Sequence, residues 1–292
     1  MGDIDVAFVQ QFNSVVTHLS QQKQSRLMQT VKVQQTQGKY GYFNLIGKTE
    51  SVKKKARNSL TPQIDVPVYR RRYILETEEW GTTIDDADEV RLLIDPRSEF
   101  TKAAAMAMGR AIDDYIIDAA LGNARSIDNV DASTNIAFDS AMIIDEDFGA
   151  TNSDLTFKKL NEARRLLLTR EVDPDEDLII VADATAIHSF LTESEAQSFD
   201  TNNMKPLVEG KIVRFMGFNF VHSESVPKNS EGFAQVLFYT RSAIGLGVGR
   251  APVARMGPNA ERSFNTTIYY AMDLGAVRIE EAKIGIIQCY RA

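Results

Sequence analysis

Residues 95–122 read DPRSEFTKAAAMAMGRAIDDYIIDAALG, and this stretch decides the fold. Pro96 stands where a helix begins, with Asp95 before it as N-cap, because the N–H that proline lacks is one a first helical turn leaves unused. Phe100, Ala103, Ala104, Met106, Ala107, Met108, Ala111, Ile112, Tyr115, Ile116, Ala119 and Leu121 form an apolar stripe that runs to Gly122. Few glycines or β-branched residues interrupt it. The spacing predicts one helix of about 25 residues, about 37 Å long, the longest element in the chain.

Upstream of this helix the charge pattern is unusual. Between Gly47 and Trp80, Val66-Pro67-Val68-Tyr69 and Tyr73-Ile74-Leu75 are rich in strand formers, and lysines and arginines interrupt them. Lys48, Lys53, Lys54, Lys55, Arg57, Arg70, Arg71 and Arg72 are opposed only by Glu50 and Asp65. The sign then reverses: Glu76, Glu78, Glu79, Asp85, Asp86, Asp88, Glu89, Asp95 and Glu99 are opposed only by Arg91 and Arg97. A nucleic-acid patch would explain the positive half alone. Self-association explains both, since the basic ribbon of one copy can lie on the acidic base of the next in a contact that closes by rotation.

Ahead of the charged ribbon, Phe8, Val9, Phe12, Val15, Val16 and Leu19 fall at helical spacing and predict an amphipathic helix over Val6 to Leu19. A glutamine-rich stretch follows, too polar for a core of its own, so residues 1–45 read as an extended arm. Downstream, Asn123 to Asn152 has the Asn, Asp and Ser content of an elaborated loop. Leu155 to Arg170 predicts a second helix with Lys158, Lys159, Arg164 and Arg165 on its exposed side. Leu178 to Val181 predicts a buried strand, Ala184 to Leu191 a short helix, and residues 193–207 a polar loop. Lys211 to Val221 predicts two strands folded about Gly217. Val236 to Tyr239, Ala243 to Val248, Asn265 to Met272 and Ile284 to Gln288 continue as strands. The chain is of the α+β class, helices early and strands late.

Composition narrows the function. At 292 residues the chain can bury a sizeable core, and its 43% hydrophobic and 25% charged residues are those of a folded protein. A net charge of -7 argues against a surface built to neutralise phosphates. The single cysteine, Cys289, forbids an intramolecular disulfide and reads as packed. The start lacks the basic region and apolar run of a signal peptide, and no apolar run reaches the length that spans a bilayer, so synthesis and residence in the cytoplasm are expected.

Linear motifs for chemistry are missing. His18, His188 and His222 have no Cys or carboxylate at metal-ligand spacing. Asp85-Asp86-Ala87-Asp88-Glu89 lacks the glycine and alternating oxygen ligands of a calcium loop and reads as a solvated or salt-bridged face. Gly245-Leu246-Gly247-Val248-Gly249 alternates like a strand and lacks the glycine placement and following helix of a dinucleotide site. No catalytic residue, metal or cofactor is assigned.

The order of elements is polar arm, charged two-stranded excursion, one very long helix, mixed middle, and late strand-rich return. It resembles the major capsid protein of tailed bacteriophages, a Hong Kong 97-type fold. Asp95-Pro96-Arg97-Ser98-Glu99-Phe100-Thr101-Lys102 with the Ala- and Met-rich run to Asp113-Asp114 is similar to the start of the spine helix in podovirus-type subunits. Arg241-Ser242-Ala243-Ile244-Gly245, and Tyr269 to Arg278 leading to Ala282 and Ile287, resemble their closing strands.

The resemblance implies an N-arm over 1–45, an E-loop over 46–80, a P-domain over 81–180 and 265–292 with its spine helix at about 96–121, and an A-domain over 181–264. It implies a shell subunit that assembles with itself in hexamers and pentamers, in the host cytoplasm, to form the icosahedral head of a virion. The packaged DNA is enclosed without sequence-specific binding and no membrane is involved. The chain lacks the long N-terminal coiled coil that serves as a built-in scaffold, which implies a separate scaffolding protein or a processed chain. A portal at one vertex and an optional decoration protein complete the partners. Lys53, Lys54, Lys55, Arg70, Arg71 and Arg72 are the expected donors between copies, and Glu76, Glu78, Glu79, Asp85, Asp86, Asp88 and Glu89 the acceptors. An encapsulin-type compartment of the same fold and a soluble α+β enzyme are the rival readings.

Overall fold

In the computed structural model of the chain, the alanine- and methionine-rich stretch after Asp95 is one helix, α1 (Pro96–Leu121), 26 residues long. Its buried positions, Ala104, Met108, Ile112, Ile116 and Ala120, recur every four residues, which places them on one stripe. The structure describes residues 21–54, 56–57, 60–85, 96–129, 132–193 and 214–291. The helix expected over Val6 to Leu19, the cap at Asp95 and most of the loop at 193–207 lie outside them.

The chain divides into two units, one of residues 1–25, 77–111 and 250–273, the other of 26–76, 112–249 and 274–292. In the larger unit, a six-stranded sheet has the order β7-β14-β11-β8-β10-β9. Its strands are β7 (Ile143–Ile144), β8 (Leu178–Ala182), β9 (Arg214–Phe215), β10 (Phe218–His222), β11 (Ala234–Thr240) and β14 (Ile284–Cys289). Every residue of β8 is buried, as a central strand covered on both faces requires. Two helices pack on this sheet, α2 (Phe157–Thr169) and α3 (Ala184–Thr192). Thr156 caps α2 by accepting from Lys159 N, and Asp183 caps α3 by accepting from Ala186 N. Leu160, Ala163 and Leu167 of α2 and Phe190 of α3 meet Ile180, Phe218, Val236, Phe238 and Ile287 in one core.

A second sheet of this unit is antiparallel, in the order β2-β3-β5-β6, from β2 (Tyr40–Ile46), β3 (Val68–Ile74), β5 (Ala124–Asn129) and β6 (Ala132–Ile136). Its inner face carries Phe43 and Tyr73, with ring centroids 5.3 Å apart. These rings lie on glycines. A Cβ on Gly245 would overlap the Phe43 ring, one on Gly41 or Gly247 would overlap Tyr73, and one on Gly275 would meet the Ile74 carbonyl. The Tyr73 hydroxyl is hydrogen bonded to Thr36 Oγ1. The alternating glycines at 245–249 are therefore a strand whose missing side chains make room for two aromatic rings.

A third sheet has the order β1-β12-β13-β4, from β1 (Lys32–Gln35), β4 (Glu76–Ile84), β12 (Ile244–Pro258) and β13 (Thr266–Arg278). β1 runs parallel to β12, Lys32 opposite Gly245 and Gln35 opposite Val248. In the smaller unit, Tyr269 Oη donates to Glu79 Oε1 at 2.8 Å and Thr77 Oγ1 to Asp273 Oδ1 at 2.6 Å.

Several expectations change. Residues 32–35 and 40–46, read as part of an extended arm, are strands, because pairing with β12 and β3 supplies the partners their polar sequence cannot. The loop expected over 123–152 contains the β5–β6 hairpin, whose polar residues suit a sheet with one open face. The two strands expected over 66–75 are the single strand β3. Lys159, expected on the outside of its helix, has no exposed surface; its Nζ donates to Ser153 O at 2.7 Å and Gln288 O at 2.9 Å. Burial holds this ammonium below the ordinary lysine range.

Gly247→Val should force the Tyr73 ring out of its slot and destabilise the subunit by about 1–3 kcal/mol. Urea unfolding of the unassembled chain measures it, and a wild-type midpoint would show that the slot is not tight.

Candidate assembly interface

Alternation along β3 sorts the arginines that the sequence groups together. Successive strand side chains point to opposite faces, so Arg71 faces inward while Arg70 and Arg72 face outward. Arg70 Nε donates to Asn44 Oδ1 at 2.9 Å and its guanidinium lies 5.4 Å from the Tyr42 ring centroid. Arg72 lies 5.2 Å from the Tyr40 ring centroid. Each is held over an aromatic face of β2.

Arg71 is used within its own chain. It is 8% exposed, donates through Nε to Ile279 O at 3.1 Å, and pairs through Nη2 with Glu281 Oε2 at 2.9 Å. The other oxygen of Glu281 stands 3.7 Å from Arg278 Nε, an ionic contact too long for a hydrogen bond. Arg278 has no exposed surface. Its Nη1 donates to Ala120 O at 3.0 Å and Gly122 O at 2.7 Å, and its Nη2 to Ile136 O at 3.0 Å. It thus satisfies carbonyls that the end of α1 leaves open. Neither the role of Arg278 nor that of Glu281 was read from the sequence; a lone arginine in the apolar run of β13 was the available signal.

Beyond β2 the chain makes an excursion and returns at β3. Lys53 and Lys54 are exposed on it, while Lys55 lies outside the described residues. The excursion and its flanks show seven large apolar side chains to solvent: Ile46, Val52, Leu60, Ile64, Val66, Val68 and Tyr69, with Leu60 94% and Ile46 76% exposed. Exposed apolar surface in one continuous run marks a contact surface more strongly than isolated charges do. Of these, the sequence marks Val66, Val68 and Tyr69 as strand formers, but their exposure is decided only by the fold.

The acidic residues lie along or after β4. Glu76 accepts from Tyr115 Oη at 3.3 Å, Glu79 from Tyr269 Oη, and Asp85 from Asn265 Nδ2 at 3.5 Å. Glu78 is half-buried. Asp86, Asp88 and Glu89 lie outside the described residues.

The leading segment joins the body at Leu27, which is fully buried. Asp113 of α1 accepts from Arg26 N and Leu27 N, both at 3.1 Å, and Thr30 Oγ1 is 2.7 Å from Tyr239 Oη. Burial raises the Tyr239 phenol well above its usual range, so it stays a neutral partner.

A cleft of about 690 Å³ is lined by Asp154, Asp183, Glu224, Lys228 and Arg291 among others. Arg291 pairs with Asp154 and, at 2.6 Å, with Asp183. Glu224 accepts from Ala184 N at 3.0 Å, which holds its carboxyl below the usual range. Among the described residues no three His, Cys, Asp or Glu side chains converge as metal ligands, and no helix is long and apolar enough to cross a membrane.

The family model described as "phage capsid protein" matches residues 4–291. No curated protein matches the sequence. Among solved structures, the chain is similar to the capsid of Ralstonia phage GP4, with 12% identity, TM-score 0.75, and coverage of 97% of this chain and 95% of that one. It is similar to the capsid of cyanophage P-SCSP1u, with 15% identity, TM-score 0.72, and coverage of 99% and 94%. For the capsid of cyanophage Pam1 the values are 13%, 0.69, and all of both chains. At such identities the likeness concerns the fold alone.

The two faces of β3 make distinct demands on folding. Arg71→Ala should remove the partner of Glu281 Oε2 and of the Ile279 carbonyl and cost about 3–5 kcal/mol. Arg70→Ala should stay within about 0.5 kcal/mol of wild type. Chemical denaturation of the two unassembled variants separates them, and equal effects would contradict the sorting.

Proposed function

The chain belongs to the phage capsid protein family, and from that premise we propose that its copies hold one another through the excursion at 47–67 and the segment ahead of Leu27. It is a major capsid protein, the structural subunit that builds the phage head. The fold is the α+β capsid fold that the resemblance implied. The family match favours this reading over the encapsulin one. Its work is assembly rather than a reaction.

The observation that carries the proposal is the row of exposed apolar side chains from Ile46 to Tyr69. A neighbour that buries such a side chain gains about 1.5–3 kcal/mol. Several together offset the cost of association, about 4–15 kcal/mol. Charges add direction. Lys53, Lys54, Lys55, Arg70 and Arg72 serve as donors toward a neighbour, and Glu76, Glu78, Glu79, Asp85, Asp86, Asp88 and Glu89 as acceptors, which fixes register and speeds encounter more than it adds affinity. Arg71 leaves this set because it is used internally.

In the terms of the fold, the N-arm runs to about Leu27, and the E-loop is the excursion on the β2–β3 hairpin. The A-domain spans about 181–249, and the P-domain holds α1 and the closing strands, with 250–264 joined to it through the β12–β13 pairing. A-domains meet around five-fold and six-fold axes and P-domains around local three-folds. A scaffolding protein guides assembly in the host cytoplasm, a portal occupies one vertex, and a decoration protein is an optional addition. The acidic chain encloses the DNA without adhering to it.

Leu60→Glu combined with Val66→Glu should leave the stability of the unassembled subunit within about 0.5 kcal/mol of wild type and abolish closed shells. Sedimentation and negative-stain microscopy read the outcome. Normal shells from this variant would sink the proposal.

A further inference from the structure

Apart from its two ends at β2 and β3, the excursion has one ion pair to the rest of its unit among the described residues. Lys48 Nζ donates to Glu171 Oε2 at 2.5 Å. Both side chains are largely in water, at 74% and 71% exposure, and an ion pair so open to solvent adds little to folding stability.

Glu171 nevertheless occupies a left-handed backbone conformation, φ +60°, directly after Arg170, the C-cap of α2. Glycine is the usual residue there, because it alone escapes the crowding of a Cβ. The helix closes through the backbone, Glu171 N donating to Leu168 O at 3.1 Å and Val172 N to Leu167 O at 3.2 Å, so closure does not call for a glutamate. What the side chain adds is its hold on Lys48. The surroundings favour that hold. The carbonyl end of α2 carries partial negative charge that reinforces the carboxylate. The adjoining Arg170 donates through Nη2 to Asp139 Oδ2 at 2.7 Å, which fixes this corner to the body. The contact raises the Lys48 pKa and lowers that of Glu171, so both remain charged at neutral pH. Glu50 is the other carboxylate acting on Lys48.

We propose that Glu171 is a positioning residue for assembly: by holding Lys48 at the root of the excursion, it sets the direction in which residues 49–66 leave the subunit to meet a neighbouring copy. This rests on the reading of the excursion as the segment that holds a neighbour. A backbone conformation better suited to glycine is retained for the side chain it carries, and a contact too weak to matter for folding acts on the direction of a long segment hinged at its base.

The test separates direction from stability. Glu171→Gly should melt at or above the wild-type temperature as the unassembled subunit, because strain is removed, and yet form shells at least about threefold more slowly at low salt. The exchange Lys48→Glu with Glu171→Lys should restore the wild-type rate. In the unassembled subunit, spin labels at Leu60→Cys and Leu168→Cys should give a distance distribution that is broader with Glu171→Gly, and that broadens in the otherwise wild-type chain as salt is raised. Cys289 is buried and takes no label. The proposal is overturned by equal distributions, by a lower melting temperature for Glu171→Gly, by its assembly at the wild-type rate, or by an exchange variant that does not recover. If the wild-type chain formed no shells at all, the reading of the excursion would fail, and the spin-label comparison would still decide the role of Glu171.

Discussion

A guanidinium with no access to water holds the larger unit of this subunit together. Burying the charge of Arg278 is costly unless it is paired; the carbonyls of Ala120, Gly122 and Ile136 accept from its two Nη groups, and Glu281 lies in ionic contact with its Nε. Those acceptors come from the end of α1, the end of β6 and the turn after β13. Glu281 passes the constraint on to Arg71 in β3. The strand to which the excursion returns is thereby tied to the end of the long helix. A segment that leaves a fixed strand carries its side chains to a definite place; one that leaves a loose strand does not.

Packing adds a second constraint at the same strand. Phe43 and Tyr73 rest against glycines at 41, 245 and 247, and Gly275 passes close to the carbonyl of Ile74, an approach that any larger residue would prevent. Ionic and steric constraints thus act on the inward residues of β3, Arg71 at its middle and Tyr73 near its end. Alternation turns their neighbours Arg70 and Arg72 outward. The base of the excursion is thus held by contacts within its own chain, and on the proposed reading a neighbour would meet it without first ordering it.

The excursion itself follows the opposite rule. Its apolar side chains have no core to enter, and its root is held by an exposed ion pair that contributes little to folding. Surface that is costly on a solitary molecule becomes favourable when copies are packed side by side, since each contact is repeated around a closed shell. The chain belongs to the phage capsid protein family, and this is the surface proposed above to hold a neighbouring copy.

By itself the sequence determined α1 almost to the residue, because a long apolar stripe at helical spacing bounded by proline and glycine is a local signal that few neighbours can override. It also determined α2, α3, β8 and the turn at Gly217, whose caps and breakers lie within a few residues of the elements they bound. Only the tertiary structure decided that the polar run after α1 is a hairpin, that Lys32–Gln35 joins a sheet, and that β12 and β13 extend past their apolar cores. Strands of that kind are defined by partners distant in the chain, and no short window of sequence contains the partner. The candidate site divides in the same way. The charge reversal between 48 and 99 was legible as composition, whereas the inward turn of Arg71, the burial of Lys159 and the hold of Glu171 on Lys48 depend on which side of an element faces the protein. That is settled by packing, after the chain has folded.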